Sequence, residues 1–154
     1  MKLLDVLKPE AVKVLTATSS KKRLLADLAD LSGAAYGLEP DSVLHALMER
    51  ESLGPTGVGQ GVALPHARIS GTEDMLGAFL LLERPVDYES VDRQPVDVVF
   101  GLFAPEDAGV EHLKALALVS RTLRDSSILA KIRANPDSAT LYTILTEAPS
   151  VQAA

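Results

Sequence analysis

With 154 residues, 47% of them hydrophobic and 23% charged, the chain has the length and composition of one globular domain with a substantial core. Its net charge of −6 and lack of a dense basic face exclude the usual electrostatic surface for nucleic acid. The absence of cysteine excludes disulfides, thiolate metal sites and cysteine nucleophiles, and suits a cytoplasmic location.

The opening MKLLDVLKPE interrupts its apolar run with Asp5, Lys8 and Pro9, so neither a secretory signal nor a membrane span is expected. No later apolar run approaches membrane length, which predicts no membrane insertion. Residues 1–18 predict a short helical turn followed by a strand, AVKVLTAT. Ser19 or Ser20 then caps a helix over about 21–36, with Leu24, Leu28, Leu31 and Ala35 on one stripe and Gly37 as the stop. The basic run Lys21-Lys22-Arg23 reads as the solvated start of that helix.

A second helix begins near Pro40–Asp41, with proline in its favoured early position. Val43, Leu44, Leu47 and Met48 form its apolar face. Arg50 continues the line through Val43 and Leu47, which turns it toward the core side of the last turn. An inward guanidinium needs a partner, and any of 21 acidic residues or a bound anion can serve.

Next comes GVGQGVALPHAR (57–68), in which VALP reads as a short strand. Strands follow at 75–83 and 96–104; the second is almost continuously apolar, as a strand covered on both faces should be. The stretch between them reads as a loop with room for a short edge strand. A helix is predicted over about 109–124, then two short ones over 126–134 and 137–147, divided by Asn135-Pro136. The pattern predicts one α/β domain over 1–148, a sandwich with helices flanking a covered sheet, and a frayed tail at 149–154. His45 reads as plain structure, and Met48, Phe79, Phe100 and Phe103 read as core.

The glycine-rich segment admits several chemistries. Gly57 and Gly59 fit the start of a dinucleotide fingerprint, but Val62 stands at the final glycine and a strand follows instead of a helix. A P-loop needs Gly-Lys-Ser/Thr, which is absent. His45, His66 and His112 have no metal-ligand spacing, so no metal is expected. No Gly-x-Ser-x-Gly elbow presents a serine. Covalent phosphate on histidine fits better. Neutral imidazole is a nucleophile at pH 7, and the remaining work is to position the phosphoryl group and neutralise its oxygens. Glycines let backbone N–H groups approach an anion, and Pro65 would hold His66 at the end of a strand. His112 lines up with Leu116, Val119 and Leu123, which puts it in the first turn of its helix, facing the sheet. A partly buried surface histidine would show the same spacing.

RESLGPTGVGQGVALPHAR (50–68) resembles the active segment of the fructose/mannitol class of enzyme IIA domains, phosphocarriers of the bacterial phosphoenolpyruvate-dependent phosphotransferase system. TSSKKRLLADLADL and RPVDYESVDRQPVDVVFGLFAPEDAGVEHLKALALVSRTL are similar to the nitrogen-type members. The resemblance implies an α/β sandwich, three-layer-like, with a mixed central sheet. It implies that His66 is phosphorylated on Nε2, that His112 hydrogen-bonds the phosphoryl group and that Arg50 supplies counter-charge. Gly59, Gly61 and Ala67 would then cradle the phosphate. The resemblance implies no cofactor and a phosphocarrier in place of a turnover enzyme. The donor would be an HPr-like carrier, NPr, and the output would be regulation of partners such as potassium-transport components or sensor kinases. A sugar-specific carrier that passes phosphate to a IIB domain is the alternative. Pro55, Gln60 and Ala67 depart from the usual serine, asparagine and glycine. The Ala67 N–H stays available only if its φ is negative.

Overall fold

The computed structural model describes residues 1–147, so the tail expected at 149–154 lies outside the described residues. A 3₁₀ turn at Leu3–Asp5 leads into β1 (Leu7–Leu15), α1 (Lys21–Tyr36) and α2 (Pro40–Ser52). Three short strands follow, β2 (Gly57–Gly59), β3 (Val62–Ala63) and β4 (His66–Ile69). Two long strands, β5 (Leu76–Val86) and β6 (Val96–Pro105), precede α3 (Val110–Arg124), α4 (Ser126–Ala134) and α5 (Ser138–Thr146).

Local chemistry explains the helix limits. The Ser20 hydroxyl accepts from Arg23 N at 3.0 Å, and Gly37 ends α1 in the left-handed region at φ 73°. Asp125 and Asp137 accept first-turn N–H groups of α4 and α5.

The sheet is mixed, in the order β1-β5-β6-β3-β2, with β4 also paired to β6. β5 and β6 run antiparallel, whereas β1 is parallel to β5, and β3 and β4 are parallel to β6. β3 and β4 lie end to end along one edge of β6: Val62 and Ala63 face Val98 and Val99, and His66 faces Leu102. Residues 98–104 are all buried, as the apolar run predicted. A Cβ on Gly101 would stand 2.6 Å from Leu28 Cδ2, so this glycine lets α1 close onto the sheet. Phe79, Phe100 and Phe103 are core; Phe79 meets Phe100 edge-on at 6.2 Å.

Four expectations change. β1 starts at Leu7, not residue 11, and ends at Leu15. Its pairing shifts between Leu7↔Gly77 and Val12↔Phe79, and this irregularity on an edge strand accommodates Pro9. β5 runs on to Val86, which pairs with Val96 inside the stretch read as loop. Met48 is 37% exposed, because it sits beside the inward stripe of Val43 and Leu47 and not on it. Lys21 is no solvated end: its Nζ lies 2.9 Å from the buried Glu51 carboxylate. Among the described residues no helix is long and apolar enough to cross a membrane.

Candidate functional site

The glycine-rich segment divides into two parts with different partners. Gln60 (φ 59°) and Gly61 (φ 81°) are both left-handed and join antiparallel β2 and β3 as a two-residue hairpin turn. Gln60 N–H donates to Asp92 Oδ2 at 3.0 Å, and Gln60 O accepts from Arg133 Nη2 at 2.7 Å. The same guanidinium grips Asp97, Nη2 to Oδ1 at 2.8 Å and Nε to Oδ2 at 3.1 Å. Gly61 O accepts from both Asp97 N and Val98 N. Asp92 is the nearest group to a Cβ built on Gly59, and Arg133 and Asp97 are the nearest to one on Gly61. Gly59 and Gly61, expected to cradle the phosphate, shape a hairpin tip whose polar neighbours are Asp92, Asp97 and Arg133.

The second part carries the histidine. Pro65 has no N–H for the ladder, so β3 stops at Ala63 and a new strand begins at His66. The imidazole thus stands at the start of β4 and not at the end of the preceding strand. Its Nδ1 lies 2.8 Å from Leu64 O. A carbonyl only accepts, so Nδ1 carries the proton and Nε2 keeps its lone pair. Arg50, in the last turn of α2, donates Nε–H to that Nε2 at 3.3 Å and Nη1–H to Gly54 O at 2.9 Å. Burial pushes the His66 pKa below its ordinary value and the Arg50 charge adds to this, opposed by the Leu64 hydrogen bond and Glu51. The ring is neutral and nucleophilic near pH 7.

His112 lies in the first turn of α3, as its stripe predicted, and is 6% exposed. Its ring stands edge-on to His66, centroids 5.6 Å apart. Its pKa is also lowered, by burial first and then by the charges of His66 and Arg68. Its Nε2 is buried without a hydrogen-bond partner among the described residues. Such an atom costs about 1–3 kcal/mol unless a ligand meets it.

Arg50, His66, Ala67, Arg68 and His112 line one open cleft of about 750 Å³, rimmed by exposed Leu53 and Leu113. Ala67 is absent from the positive-φ residues, so its N–H is not lost to strain. Leu102 N donates to Pro65 O, however, and the alternation of a parallel ladder then turns the Ala67 N–H toward β6. Ala67 contributes small bulk to the cleft, while the N–H groups of His66 and Arg68 face away from β6. His45 is exposed on α2 and lies 3.8 Å from Glu49, outside the cleft.

Sequence reasoning missed Glu51. Its side chain is 7% exposed, and it accepts from Thr56 N at 2.8 Å and Thr56 Oγ1 at 2.6 Å. Tyr88 OH lies 3.0 Å from Thr56 Oγ1 and 3.4 Å from Glu51 Oε2. Burial holds the Tyr88 phenol well above its usual range, so it stays protonated. The only signal for this cluster was adjacency to Arg50.

Residues 5–148 match the family model for the phosphoenolpyruvate-dependent sugar phosphotransferase system, EIIA 2. A nitrogen regulatory protein of Bradyrhizobium diazoefficiens is 44% identical over 153 residues, covering 99% of this chain and 100% of that one. The crystal structure of nitrogen regulatory protein IIA-Ntr from Neisseria meningitidis matches with a TM-score of 0.85 at 34% identity, over 94% of this chain and 99% of that one. IIA mannitol from Escherichia coli shares the fold, with a TM-score of 0.74 at 18% identity over 90% and 97% of the two chains.

Proposed function

The chain belongs to the EIIA type 2 family of the phosphoenolpyruvate-dependent phosphotransferase system, and from that premise we propose that His66 Nε2 is the atom that accepts the phosphoryl group. The observation that carries this reading is a convergence. A neutral imidazole has its Nε2 lone pair capped by Arg50 Nε, and the ring of His112, whose buried Nε2 has no hydrogen-bond partner among the described residues, lines the same cleft edge-on to it.

The reaction follows from the tautomer. The Nε2 lone pair attacks phosphorus in line with the bond to the donor's imidazole nitrogen. A P–N bond forms on His66, the donor's P–N bond breaks, and its electron pair returns to the donor ring. His66 keeps its Nδ1 proton, and the Leu64 carbonyl stabilises the positive charge that develops on the ring. Arg50 Nε moves from Nε2 to a phosphoryl oxygen as the new bond forms. His112 donates Nε2–H to another, which satisfies the orphaned atom. No general base is needed, because the attacking nitrogen carries no proton.

The donor in this reading is an HPr-like carrier, NPr, in keeping with a phosphotransferase-system family, and the output is regulatory, which the similarity to nitrogen regulatory proteins supports. Phosphorylation adds close to two negative charges between the exposed Leu53 and Leu113, enough to recruit or repel a protein partner. Potassium-transport components and sensor kinases are the candidate partners.

The test is mass spectrometry after incubation with phosphoenolpyruvate, enzyme I and the small carrier. An acid-labile phosphoryl adduct is expected on the wild type and not on His66→Ala. An unmodified wild type beside active upstream proteins rejects the proposal. Transfer onward to a sugar IIB domain would favour the transport role over the regulatory one.

A further inference from the structure

The Glu51 side chain is buried beside the site yet touches neither His66 nor the cleft. Its carboxylate sits where two routes to the His66 ring begin. Along the first, Glu51 Oε1 accepts from Thr56 N at 2.8 Å, Thr56 O accepts from Leu64 N at 2.9 Å, and Leu64 O meets His66 Nδ1 at 2.8 Å. Along the second, the same carboxylate closes the 51–56 turn, inside which Gly54 O holds Arg50 Nη1 at 2.9 Å while Arg50 Nε reaches His66 Nε2. One route ends on each ring nitrogen.

The carboxylate is fixed on its other sides as well. Thr56 Oγ1 donates to Oε2 at 2.6 Å, and Tyr88 OH stands beside both oxygens. Lys21 Nζ, 2.9 Å from Oε1, neutralises it and lies over the Tyr88 ring at 4.7 Å from the centroid. A carboxylate fixed this way holds the turn in one geometry, since each neighbour demands a different lone pair.

We infer that Glu51 is a positioning residue for phosphoryl transfer. By bracing Thr56 and the 51–56 turn, it keeps the Leu64 carbonyl on His66 Nδ1 and Arg50 on Nε2, and so sets the tautomer in which Nε2 is the nucleophile. The inference rests on the phosphocarrier reading for its consequence, but the tautomer is a property of the unphosphorylated protein and can be read without it.

The experiment pairs two measurements on Glu51→Gln, with Thr56→Val as a second variant. Nitrogen-15 NMR of the histidine rings reports the tautomer, and a stopped-flow or quenched assay reports phosphoryl uptake from the charged small carrier. Wild type should show a single Nδ1–H form for His66. In Glu51→Gln that form should mix with the Nε2–H tautomer while His112 is unchanged, and uptake should fall about tenfold or more, the usual scale for losing an orienting partner of an imidazole. Thr56→Val should move both readouts in the same direction by less, because the Thr56 N–H bond survives. Folded Glu51→Gln with the wild-type tautomer, or with uptake within twofold of wild type, overturns the inference. If Glu51→Gln does not fold, Thr56→Val decides by the same criteria. If wild type takes up no phosphoryl group, the phosphocarrier reading fails, and the ring spectra alone still decide whether Glu51 sets the tautomer.

Discussion

The tip of the β2–β3 hairpin and the Leu64–His66 turn come from one glycine-rich stretch, yet their polar groups are partnered in opposite ways. At the tip, Gln60 and Gly61 meet Asp92, Asp97 and Arg133, and the backbone bonds are made within the protein. At the turn, Arg50 rests on the His66 lone pair, and the neighbouring His112 Nε2 has no hydrogen-bond partner among the described residues. A satisfied network builds a scaffold; an unsatisfied one, fixed in place, is ready for a ligand. Changes at the tip should therefore cost stability and spare phosphorylation, and changes at the turn should do the reverse.

The largest effect that sharpens this contrast is expected from Arg50→Gln. Removing the guanidinium should slow phosphoryl uptake by about 10²-fold or more, the usual loss for one electrostatic stabiliser. Its unfolding midpoint should change little, because Arg50 is only half-buried. A rapid-quench time course beside a urea titration checks both.

His112→Leu comes next. Uptake should fall about tenfold or more, while stability holds or rises, because a buried nitrogen without a partner is replaced by an apolar group. Clear destabilisation would show that His112 is a structural histidine after all.

Gly61→Ala probes the other region. A Cβ there forces a left-handed φ of 81° on alanine and meets Arg133 Nη2 at 2.5 Å. Destabilisation of about 1–2 kcal/mol is expected, and the folded fraction should still take up phosphate at the wild-type rate. A loss of uptake without a loss of stability would return Gly61 to the phosphate cradle.

The smallest effect is in pH. Folding lowers the pKa of both His66 and His112, mainly through burial. Below their ordinary value of about 6.5 the unfolded chain therefore binds more protons than the folded one. Stability should fall as pH drops through 6.5 toward the folded values and level off beneath them. Urea midpoints measured from pH 7 to 5 should show this slope, and the double variant His66→Ala, His112→Leu should flatten it. If both slopes match, the two rings are not held neutral by the fold.

Much of this was legible in the chain. The α1 limits and the end of α4 follow from Ser20, Gly37 and Asn135-Pro136, whose chemistry acts over a few neighbouring residues. The inward placement of Arg50 and His112 follows from helical spacing, which fixes direction once a helix exists. The β1 start was not legible, because a proline reads as a break unless the strand is known to lie on an edge with an irregular register. Nor could Glu51 be picked from its acidic neighbours: Thr56, Tyr88 and Lys21 become its partners only when α1, the 51–56 turn and the loop after β5 converge.

Local rules and a familiar motif were thus enough to identify the helices, the covered central strand and the three side chains that meet in the cleft. Tertiary structure alone decided that Gly59 and Gly61 sit in a hairpin tip among Asp92, Asp97 and Arg133, and that the Leu64 carbonyl is the group that holds His66 Nδ1 and leaves Nε2 free of a proton, as the resemblance had implied. Both outcomes depend on groups far away in the chain or on a carbonyl whose direction is set by the break at Pro65. Spacing along a sequence encodes which way a side chain points from its own element, but not which partner it finds there.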